Sequence, residues 1–419
     1  MLRLLASLLV VTAAAGKNAT ASRDSSACNI VPQQTRNCLS DNQAIRRCFA
    51  NKLIHVYGNS VSRHWAYTLA YILEGGTRAF KQNREGGYKA EHVDEALKHL
   101  PDRQSEKLYC AHGSGKKRCQ WFVGDGTHMV FVWQQHVWEE VFEDQFTKPC
   151  DRTSDDPREM NRVKDGYCRP DVAIISVASD DVYHAGSDCP AQCPDQSEKS
   201  YCAKFGKNHS VAERYEYWHG RITDQGPKLV RMLRDVASSG ASVYYRTSTP
   251  NCGFSAESHG YESPDEPLWT SEPSAECMAR PRPRNQNAAQ WAVQCRGLSI
   301  ENANLRAGGE FMTALLCAEG DSPAARVGVV PAYEWIADGS KDPLQPSSCK
   351  DYDDAVHHSR LQFDHLNAWL CDVCETELKS SSGDANSKQY KSARITATAA
   401  PAARALRPRA GHVESSNST

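Results

Sequence analysis

Two short segments of the sequence carry residue types that could perform ester chemistry. In the first, residues 58–63 read Gly-Asn-Ser-Val-Ser-Arg, and Ser60 stands where an apolar run gives way to a helical pattern. A helix N-terminus presents unpaired N–H groups and the positive end of a dipole. Such donors stabilise the oxyanion that forms when a serine attacks a carbonyl carbon. Taken alone, Ser60 or Ser62 could as readily be a helix N-cap.

The second segment lies near the end of the chain. Asp354 and His357 stand three residues apart in a predicted loop that leads into a helix. The carboxylate can therefore accept a hydrogen bond from one ring nitrogen and leave the other nitrogen as a general base. A surface Asp-His pair without a function is the alternative. The neighbouring Asp353 and His358 leave the register of the pair open.

The elements that must position these segments alternate between strands and helices. Helical patterns run from residue 62 to Gly75-Gly76, over 298–317 and over 359–370. Residues 211–238 are predicted to form one or two helices, broken near Gly226 and Pro227. Predicted strands cover residues 53–57, 128–133, 171–177, 242–246 and 327–330. This alternation predicts an α/β fold with a central, mainly parallel sheet between two helical layers.

Composition excludes several classes of protein. Apolar residues make up 40% and charged residues 24% of the 419 residues, which excludes collagen-like and wholly disordered chains. The 49 basic and 51 acidic residues give a net charge of −2, which argues against a nucleic-acid partner. No apolar run approaches the ~18 residues that a membrane-spanning helix requires.

The N-terminal residues and the cysteines predict the compartment. Residues 1–16 combine Arg3, an apolar stretch over 4–11 and small residues over 12–16, which is typical of a secretory signal peptide. The 17 cysteines are expected to pair in an oxidising lumen, and the odd count leaves one thiol free or bridged to another chain. Asn18 and Asn208 begin glycosylation sequons. We therefore expect a protein that is secreted or retained in the lumen of the secretory pathway, of which the Golgi is one compartment.

A pair of cysteines near the C-terminus raises the question of a metal site. Cys371 and Cys374, with His365 nearby, have one half of a zinc-binding spacing, but no second half is evident. The secretory route favours disulfides for both cysteines. We expect no metal and no cofactor.

The two chemical segments together resemble a known family. Residues 51–65 are similar to the opening block of SGNH/GDSL-type esterases, in particular the branch of PC-esterases and trichome-birefringence-like polysaccharide O-acetyltransferases. That branch opens with Gly-Asp-Ser-(Leu/Val)-Ser-Arg after a strand and closes with Asp-x-x-His, as in residues 354–357. Residues 170–176, 245–250 and 329–335 resemble further blocks of the branch, in the same order.

The resemblance implies a fold, a reaction and a set of roles. It implies a three-layer SGNH-like domain over residues 48–375, braced by disulfides and carrying long loop insertions. Ser60 would be the nucleophile, His357 the base and acid, and Asp354 the residue that orients His357. The substrate would be an acylated carbohydrate or small ester, and the acyl group would pass to water or to a sugar hydroxyl. Arg63 and Arg246 would orient this substrate.

Departures from the family pattern keep a second function open. Asn59 replaces the acidic residue beside the nucleophile, and residues 177–181 lack the Asn or His that helps to hold the oxyanion. Ser179 is the remaining donor there, while Asp180 would repel an oxyanion. The alternative is a catalytically weak or inactive SGNH-like extracellular protein that binds glycans. A cysteine-rich structural wall protein would fit the cysteines but not the paired motifs.

The rest of the chain surrounds this domain. Residues 17–47 contain Cys28 and Cys38 and are predicted to be a disulfide-tethered lead-in. Residues 77–117 and 251–284 are long inserts that either shape a substrate cleft or form solvated loops. Residues 376–419 are predicted to be a disordered basic tail.

Overall fold

The computed structural model describes the chain between residues 29 and 381, with gaps. The predicted signal peptide, the sequons at Asn18 and Asn208, most of the two inserts and residues 382–419 lie outside the described residues. The described residues are 29–34, 36–73, 118–122, 126–133, 137, 146–151, 156–165, 167–177, 211–252, 275–279, 282, 287–318, 326–338, 346, 349 and 359–381.

One sheet organises the described chain, in the strand order β1-β7-β6-β5-β2-β4-β3. Every neighbouring pair is parallel except β3 and β4, which are antiparallel. The strands are β1 Asn29–Ile30, β2 Leu53–Gly58, β3 Arg118–Phe122, β4 His128–Trp133, β5 Val172–Ser176, β6 Ser242–Arg246 and β7 Gly328–Val330. The predicted α/β fold with a mainly parallel sheet is therefore confirmed.

Helices precede, connect and follow these strands. A short 3₁₀ helix at Cys38–Ser40 comes first. The α-helices are α1 Asn42–Phe49, α2 Ser60–Leu73, α3 Pro157–Asp165, α4 Val211–Ser238, α5 Ala275–Met278, α6 Ala288–Leu316, α7 Ala332–Ala337, α8 Ser359–Val373 and α9 Glu375–Ser381.

The strands contribute alternate residues to two buried clusters. Because successive side chains of a strand point to opposite faces of the sheet, Ile54 and Val56 of β2 join one cluster while Tyr57 joins the other. Helices α1, α2 and α8 complete the first cluster, and α4 and α6 complete the second. Full burial of a Leu, Ile or Val side chain stabilises a fold by about 1.5–3 kcal/mol. The apolar runs that predicted the strands are thus the residues that hold the sheet between its helices.

Helix α4 corrects one expectation, because it is continuous and contains Pro227. A proline inside a helix removes one backbone hydrogen bond and usually kinks or breaks the helix. Here Leu229 and Leu233 are fully buried against the sheet. An added Cβ on Gly226 would also lie 3.0 Å from Met312 Sδ of α6. Packing against the sheet and α6 offsets the missing hydrogen bond, so the predicted break is wrong.

The N-terminal segment from residue 29 is part of the folded core rather than a lead-in. Strand β1 pairs with β7, with Asn29 opposite Gly328. The backbone N–H groups of Cys38 and Leu39 both donate to Asn367 Oδ1, at 2.8 and 3.1 Å. The predicted boundary at residue 47 therefore divides a structural unit, since α1 begins at residue 42 and continues to 49.

The folded part also extends past the predicted boundary at residue 375. Helix α9 continues to Ser381, and Leu378 is only 1% exposed in the first cluster. Arg36 Nη2 donates to the carbonyl oxygen of Leu378 at 3.0 Å, which joins the two ends of the described chain. Residues 376–381 are therefore helical rather than part of a disordered tail.

Disulfides brace this fold as predicted. Cys371 and Cys374 are bridged to Cys38 and Cys48, so the disulfide interpretation of this pair is confirmed. Further bridges between described residues are Cys150–Cys168, Cys252–Cys349 and Cys277–Cys295, and Cys317 is also disulfide-bonded. Bridges of this number are typical of proteins that fold in an oxidising compartment rather than the cytosol. Within the described ranges, no helix is both long and apolar enough to cross a membrane.

Candidate active site

The strand order predicts that a ligand-binding crevice lies beside β2. Along the chain β4 adds to one side of β2 and β5 adds to the other, so the order β4-β2-β5-β6-β7 reverses direction at β2. Open α/β sheets of this order bind ligands at the carboxyl ends of the strands beside such a switch point. Strands β2 and β5 end at Gly58 and Ser176, so Asn59 and Ser60 lie at this edge.

The turn after β2 is closely packed. Gly58 has φ +147°, in the region that favours glycine. A Cβ added there would lie 2.2 Å from Ser62 Oγ and 2.5 Å from the Ser176 carbonyl oxygen. The turn therefore requires glycine for its backbone angle and for the approach of its neighbours. At Gly58 the start of α2 and the end of β5 therefore pack closely together.

Asn59 is the N-cap of α2. Its Oδ1 accepts a hydrogen bond from the Val61 N–H at 3.1 Å, and its carbonyl oxygen accepts from the Arg63 N–H at 3.0 Å. These are the two hydrogen bonds that define an N-cap residue. Ser60 is then the first residue inside the helix, so the interpretation of Ser60 as an N-cap is wrong. Asn59 therefore caps the helix and completes the turn after β2.

Ser62 faces the interior instead of the crevice. Its side chain is 3% exposed, and its hydroxyl accepts a hydrogen bond from Arg246 Nη2 at 3.0 Å. The Arg246 guanidinium, itself 2% exposed, also lies over the Trp65 ring with Cζ 4.8 Å from the centroid. Ser62 is thus engaged in packing at the base of α2.

The loop after β6 forms a second rigid part of the carboxyl edge. Asn251 lies in this loop and Asn302 lies in α6, and both are fully buried. The Asn251 N–H donates to Asn302 Oδ1 at 2.8 Å, and Asn302 Nδ2 donates to the Asn251 carbonyl oxygen at 3.0 Å. Asn251 Nδ2 also donates to Glu301 Oε1. The next residue, Cys252, is bridged to Cys349. The chain at residue 349 is therefore anchored to the loop that follows the carboxyl end of β6.

Helix α8 approaches the same edge with its N-terminal end. Near its C-terminus, Asp372 Oδ2 accepts from the Tyr244 hydroxyl at 2.7 Å, at the middle of β6. Two turns earlier, the His365 ring lies 5.4 Å from that of Trp335, which follows the carboxyl end of β7. Helix α8 therefore runs antiparallel to these strands, and Ser359 lies toward the carboxyl edge.

Burial displaces the pKa values of titratable groups on both faces of β6. It raises the pKa of the Tyr245 hydroxyl well above its usual value, and the pKa of Tyr244 is raised by burial and by the neighbouring Asp372. Burial also raises the pKa of the Asp372 carboxyl, although the hydrogen bond from Tyr244 opposes this shift. Both tyrosines are therefore neutral at physiological pH, and Tyr244 donates its hydroxyl proton to Asp372.

The predicted site residues fall into two groups. Ser60, Arg63 and Arg246 lie in the described chain, where the first turn of α2 brings Arg63 close to Ser60 and packing brings Arg246 to Ser62. Asp354, His357 and Ser179 lie outside the described residues. Arg246 contacts α2 through a buried guanidinium. Its role in orienting a substrate stays a prediction. Arg63 is half-buried.

Sequence reasoning missed the supports of the site. The pair Ser62 and Arg246 is separated by 184 residues, and no local pattern indicates it. The pair Asn251 and Asn302 likewise joins a loop to the middle of a helix. The capping role of Asn59 had a signal, since asparagine before a helical pattern is a favoured N-cap. In the described residues, no group of three or more His, Cys, Asp or Glu side chains could hold a metal ion.

Comparison with known proteins adds no family. No protein-family model, no curated protein and no solved structure matches the chain. The site is therefore defined by its geometry: a serine in the first turn of a capped helix, at the carboxyl end of the strand where the sheet order reverses.

Proposed function

We propose that this protein is a carbohydrate O-acyl esterase or O-acyltransferase, with an O-acetyl group as the simplest substrate. The observation that carries the proposal is the position of Ser60. It opens α2 directly after β2, beside the switch point of the sheet, and Asn59 has already taken the N-cap position. A serine placed there can meet a ligand in the crevice, with helix N–H groups close to the reacting carbonyl.

The ends of the segment that carries Asp354 and His357 support the same site. Cys349 is anchored to the loop after β6, and α8 begins at Ser359 toward the carboxyl edge. The segment between these two points therefore starts and ends at the edge of the sheet where Ser60 lies. In this proposal Asp354 orients the His357 ring, and His357 is the general base.

The proposed reaction proceeds through an acyl-enzyme. Ser60 Oγ attacks the ester carbonyl carbon while His357 takes the hydroxyl proton, and a tetrahedral oxyanion forms. Because the Val61 N–H donates to Asn59, the Ser60 N–H is the main-chain donor that we assign to this oxyanion, with Ser179 as a second donor. His357 then protonates the departing sugar oxygen. Water or a second sugar hydroxyl, deprotonated by His357, finally releases the acyl group from Ser60.

Two further parts of the proposal rest on the family resemblance. The fold is a three-layer α/β/α sandwich of the SGNH type, and the two buried clusters on opposite faces of the sheet are consistent with it. The protein is secreted or works in the lumen of the secretory pathway, which agrees with the disulfides. Residues 58–63 and 354–357 resemble the motifs of enzymes that act on acylated glycans, and this resemblance is the support for the substrate class.

A serine-directed fluorophosphonate tests the nucleophile directly. The purified wild-type protein should be labelled at Ser60, as located by peptide mass spectrometry, and Ser60→Ala should not be labelled. Release of acetate from acetylated oligosaccharides, measured with and without an unacylated acceptor glycan, then separates hydrolysis from transfer. A wild-type protein that neither reacts with the probe nor releases acetate would overturn the proposal.

A second function is favoured by one feature of the sequence. Residues 177–181 lack the Asn or His that the family uses at the oxyanion, which would fit a catalytically weak or inactive protein that binds glycans. Saturable binding of acetylated glycans by a protein that the fluorophosphonate does not label would support this alternative. Labelling of Ser60 would exclude an inactive site.

A further inference from the structure

We propose that Arg246 is a positioning residue for Ser60, acting through α2 without touching the substrate. The inference deepens the proposed function and rests on it. Arg246 is the last residue of β6, and its backbone is paired with Val330 of β7, so its Cα is fixed to the sheet. Its side chain reaches from there to the helix that begins with Ser60.

The alternation of β6 explains why Arg246 meets α2. Tyr244 belongs to the first buried cluster, which α2 also lines, and Tyr245 belongs to the second cluster. Because strand side chains alternate with period two, Arg246 points to the same face as Tyr244. The strand β5 separates β6 from β2. A long side chain is therefore needed to connect the end of β6 with the helix that follows β2.

Arg246 contacts α2 at two points that lie one turn apart. Nη2 donates to Ser62 Oγ, and Cζ of the guanidinium lies over the ring of Trp65, three residues further on. Residues three apart lie on one helix face, so the two contacts fix both the rotation and the axial position of the first turn. Ser60 belongs to that turn, and its placement at the crevice is fixed with it.

The turn at Gly58 and the Arg246 guanidinium hold the Ser62 hydroxyl from two sides. Ser62 Oγ lies so close to Gly58 that a Cβ there would be 2.2 Å away, so the hydroxyl is held between the turn and the guanidinium. A planar guanidinium can donate to the hydroxyl and stack on an aromatic ring at once, whereas a lysine ammonium lacks the planar group needed for stacking. An arginine is therefore suited to this position in a way that lysine is not.

Labelling kinetics of four variants test the proposal. Fluorophosphonate labelling is followed over a range of probe concentrations for wild type, Arg246→Met, Arg246→Lys, Ser62→Ala and the control Arg234→Met. Arg234 also joins two elements, since its Nη2 donates to the Leu315 and Leu316 carbonyl oxygens of α6, but it lies away from the crevice. The melting temperature of each variant is measured alongside.

The expected result separates positioning from stability and from substrate contact. Arg246→Met should lower the maximal labelling rate about 10- to 100-fold, because small displacements of a reacting group have effects of that size. The probe concentration at half-maximal rate should not change, since Arg246 does not touch the probe. Arg246→Lys should recover part of the rate, and Ser62→Ala should lose only a few-fold because the Trp65 contact remains. Arg234→Met should lose thermal stability but react at the wild-type rate.

Three outcomes would overturn the role of Arg246 alone, and a fourth would overturn the proposed function as well. Folded Arg246→Met that reacts within twofold of wild type would show that α2 does not depend on Arg246. An effect confined to the half-maximal probe concentration would assign Arg246 to substrate binding instead. If Arg246→Met does not fold, wild-type rates for both Arg246→Lys and Ser62→Ala would overturn it. A wild-type protein that is not labelled removes the proposed function and this role together.

Discussion

The molecule fixes two of its regions by opposite means. A clasp, formed by residues 36–50 and 367–378, joins the two ends of the described chain through the bridges Cys38–Cys371 and Cys48–Cys374. The turn after β2, with α2 above it, is held by the fit of Gly58, the Asn59 cap and the Arg246 contact. The clasp is covalent and duplicated. The turn is held by noncovalent contacts, and none of the three described contacts has a second one that duplicates it.

This difference teaches where each kind of restraint is useful. The bridges of the clasp close loops of 333 and 326 residues, and such long loops gain most from a covalent link. The turn joins elements that are already adjacent in the sheet, so close packing is enough to fix its geometry. We expect the clasp to tolerate the loss of one component and the turn to tolerate little.

The largest effect is expected when both bridges of the clasp are removed. When one bridge is intact, the second bridge closes a loop of only about a dozen residues, namely those that lie between the two bridges. Replacing one cysteine pair by serine should therefore lower the free energy of unfolding by about 3 kcal/mol. Replacing both pairs should cost about 9 kcal/mol, more than twice the single cost, because the long loop is then open. Urea unfolding followed by circular dichroism measures these values. Loss of Cys150–Cys168, at a separation of 18, provides a control near 3 kcal/mol. Additive costs for the two clasp bridges would show that they act independently.

The next effect is on catalysis. Ser60→Ala should remove nucleophilic turnover and leave only the residual rate from binding and oxyanion stabilisation. Asp354→Asn should keep the fold and lower turnover by up to ~10⁴-fold, because it favours the wrong tautomer of His357. Initial rates of acetate release measure both variants. His358→Ala, the matched control, should stay within a few-fold of wild type; activity in His357→Ala but not in His358→Ala would mean that the register is wrong.

A smaller effect is expected from a single methyl group in the turn. Gly58→Ala should destabilise the protein by about 2–4 kcal/mol and slow fluorophosphonate labelling, because the new Cβ meets Ser62 Oγ and the Ser176 carbonyl. Gly240→Ala is the control: Gly240 has φ +95°, but an added Cβ would meet nothing within 4 Å, so only backbone strain of about 1 kcal/mol is expected. Equal costs for the two variants would show that close packing at Gly58 contributes nothing.

The smallest effect concerns the pH dependence of the clasp. Burial raises the pKa of Asp372 in the folded protein, so the folded state binds a proton more readily than the unfolded state. The free energy of unfolding should therefore increase as the pH falls from 7 through the raised pKa toward the ordinary carboxyl value, and this contribution is lost as the pH rises. Denaturant unfolding at several pH values measures the slope. Asp372→Asn should reduce it, and an unchanged slope would assign the pH dependence to other groups.

How much of this could be predicted from the sequence depends on how local the information is. Strands β2, β4, β5, β6 and β7 were predicted to within one residue at each end, because each is a buried apolar run. The edge strands β1 and β3 were missed: Asn29 and Ile30 of β1 are exposed and carry no apolar pattern. The continuity of α4 was missed because packing against α6, which no local pattern encodes, overrides Pro227.

The same distinction holds at the site. The position of Ser60 at a strand-to-helix turn follows from a change of hydrophobic period within a dozen residues. The contact from Arg246 to Ser62 requires the order of the strands, since β5 lies between their elements. The identification of His357 and Asp354 remains a prediction from the family resemblance.

The connectivity of the clasp also sets the timing of biosynthesis. Chains are synthesised at about 5–20 residues per second, so Cys38 is made roughly 20–60 s before Cys371 is available. Strand β1 waits similarly long for β7, because Asn29 pairs with Gly328. The N-terminal part of the described chain therefore leaves the ribosome well before its native partners have been made. During that interval Cys38 and Cys48 lack their native partners, and an early bridge to another cysteine would have to be reopened by thiol–disulfide exchange before the clasp could form.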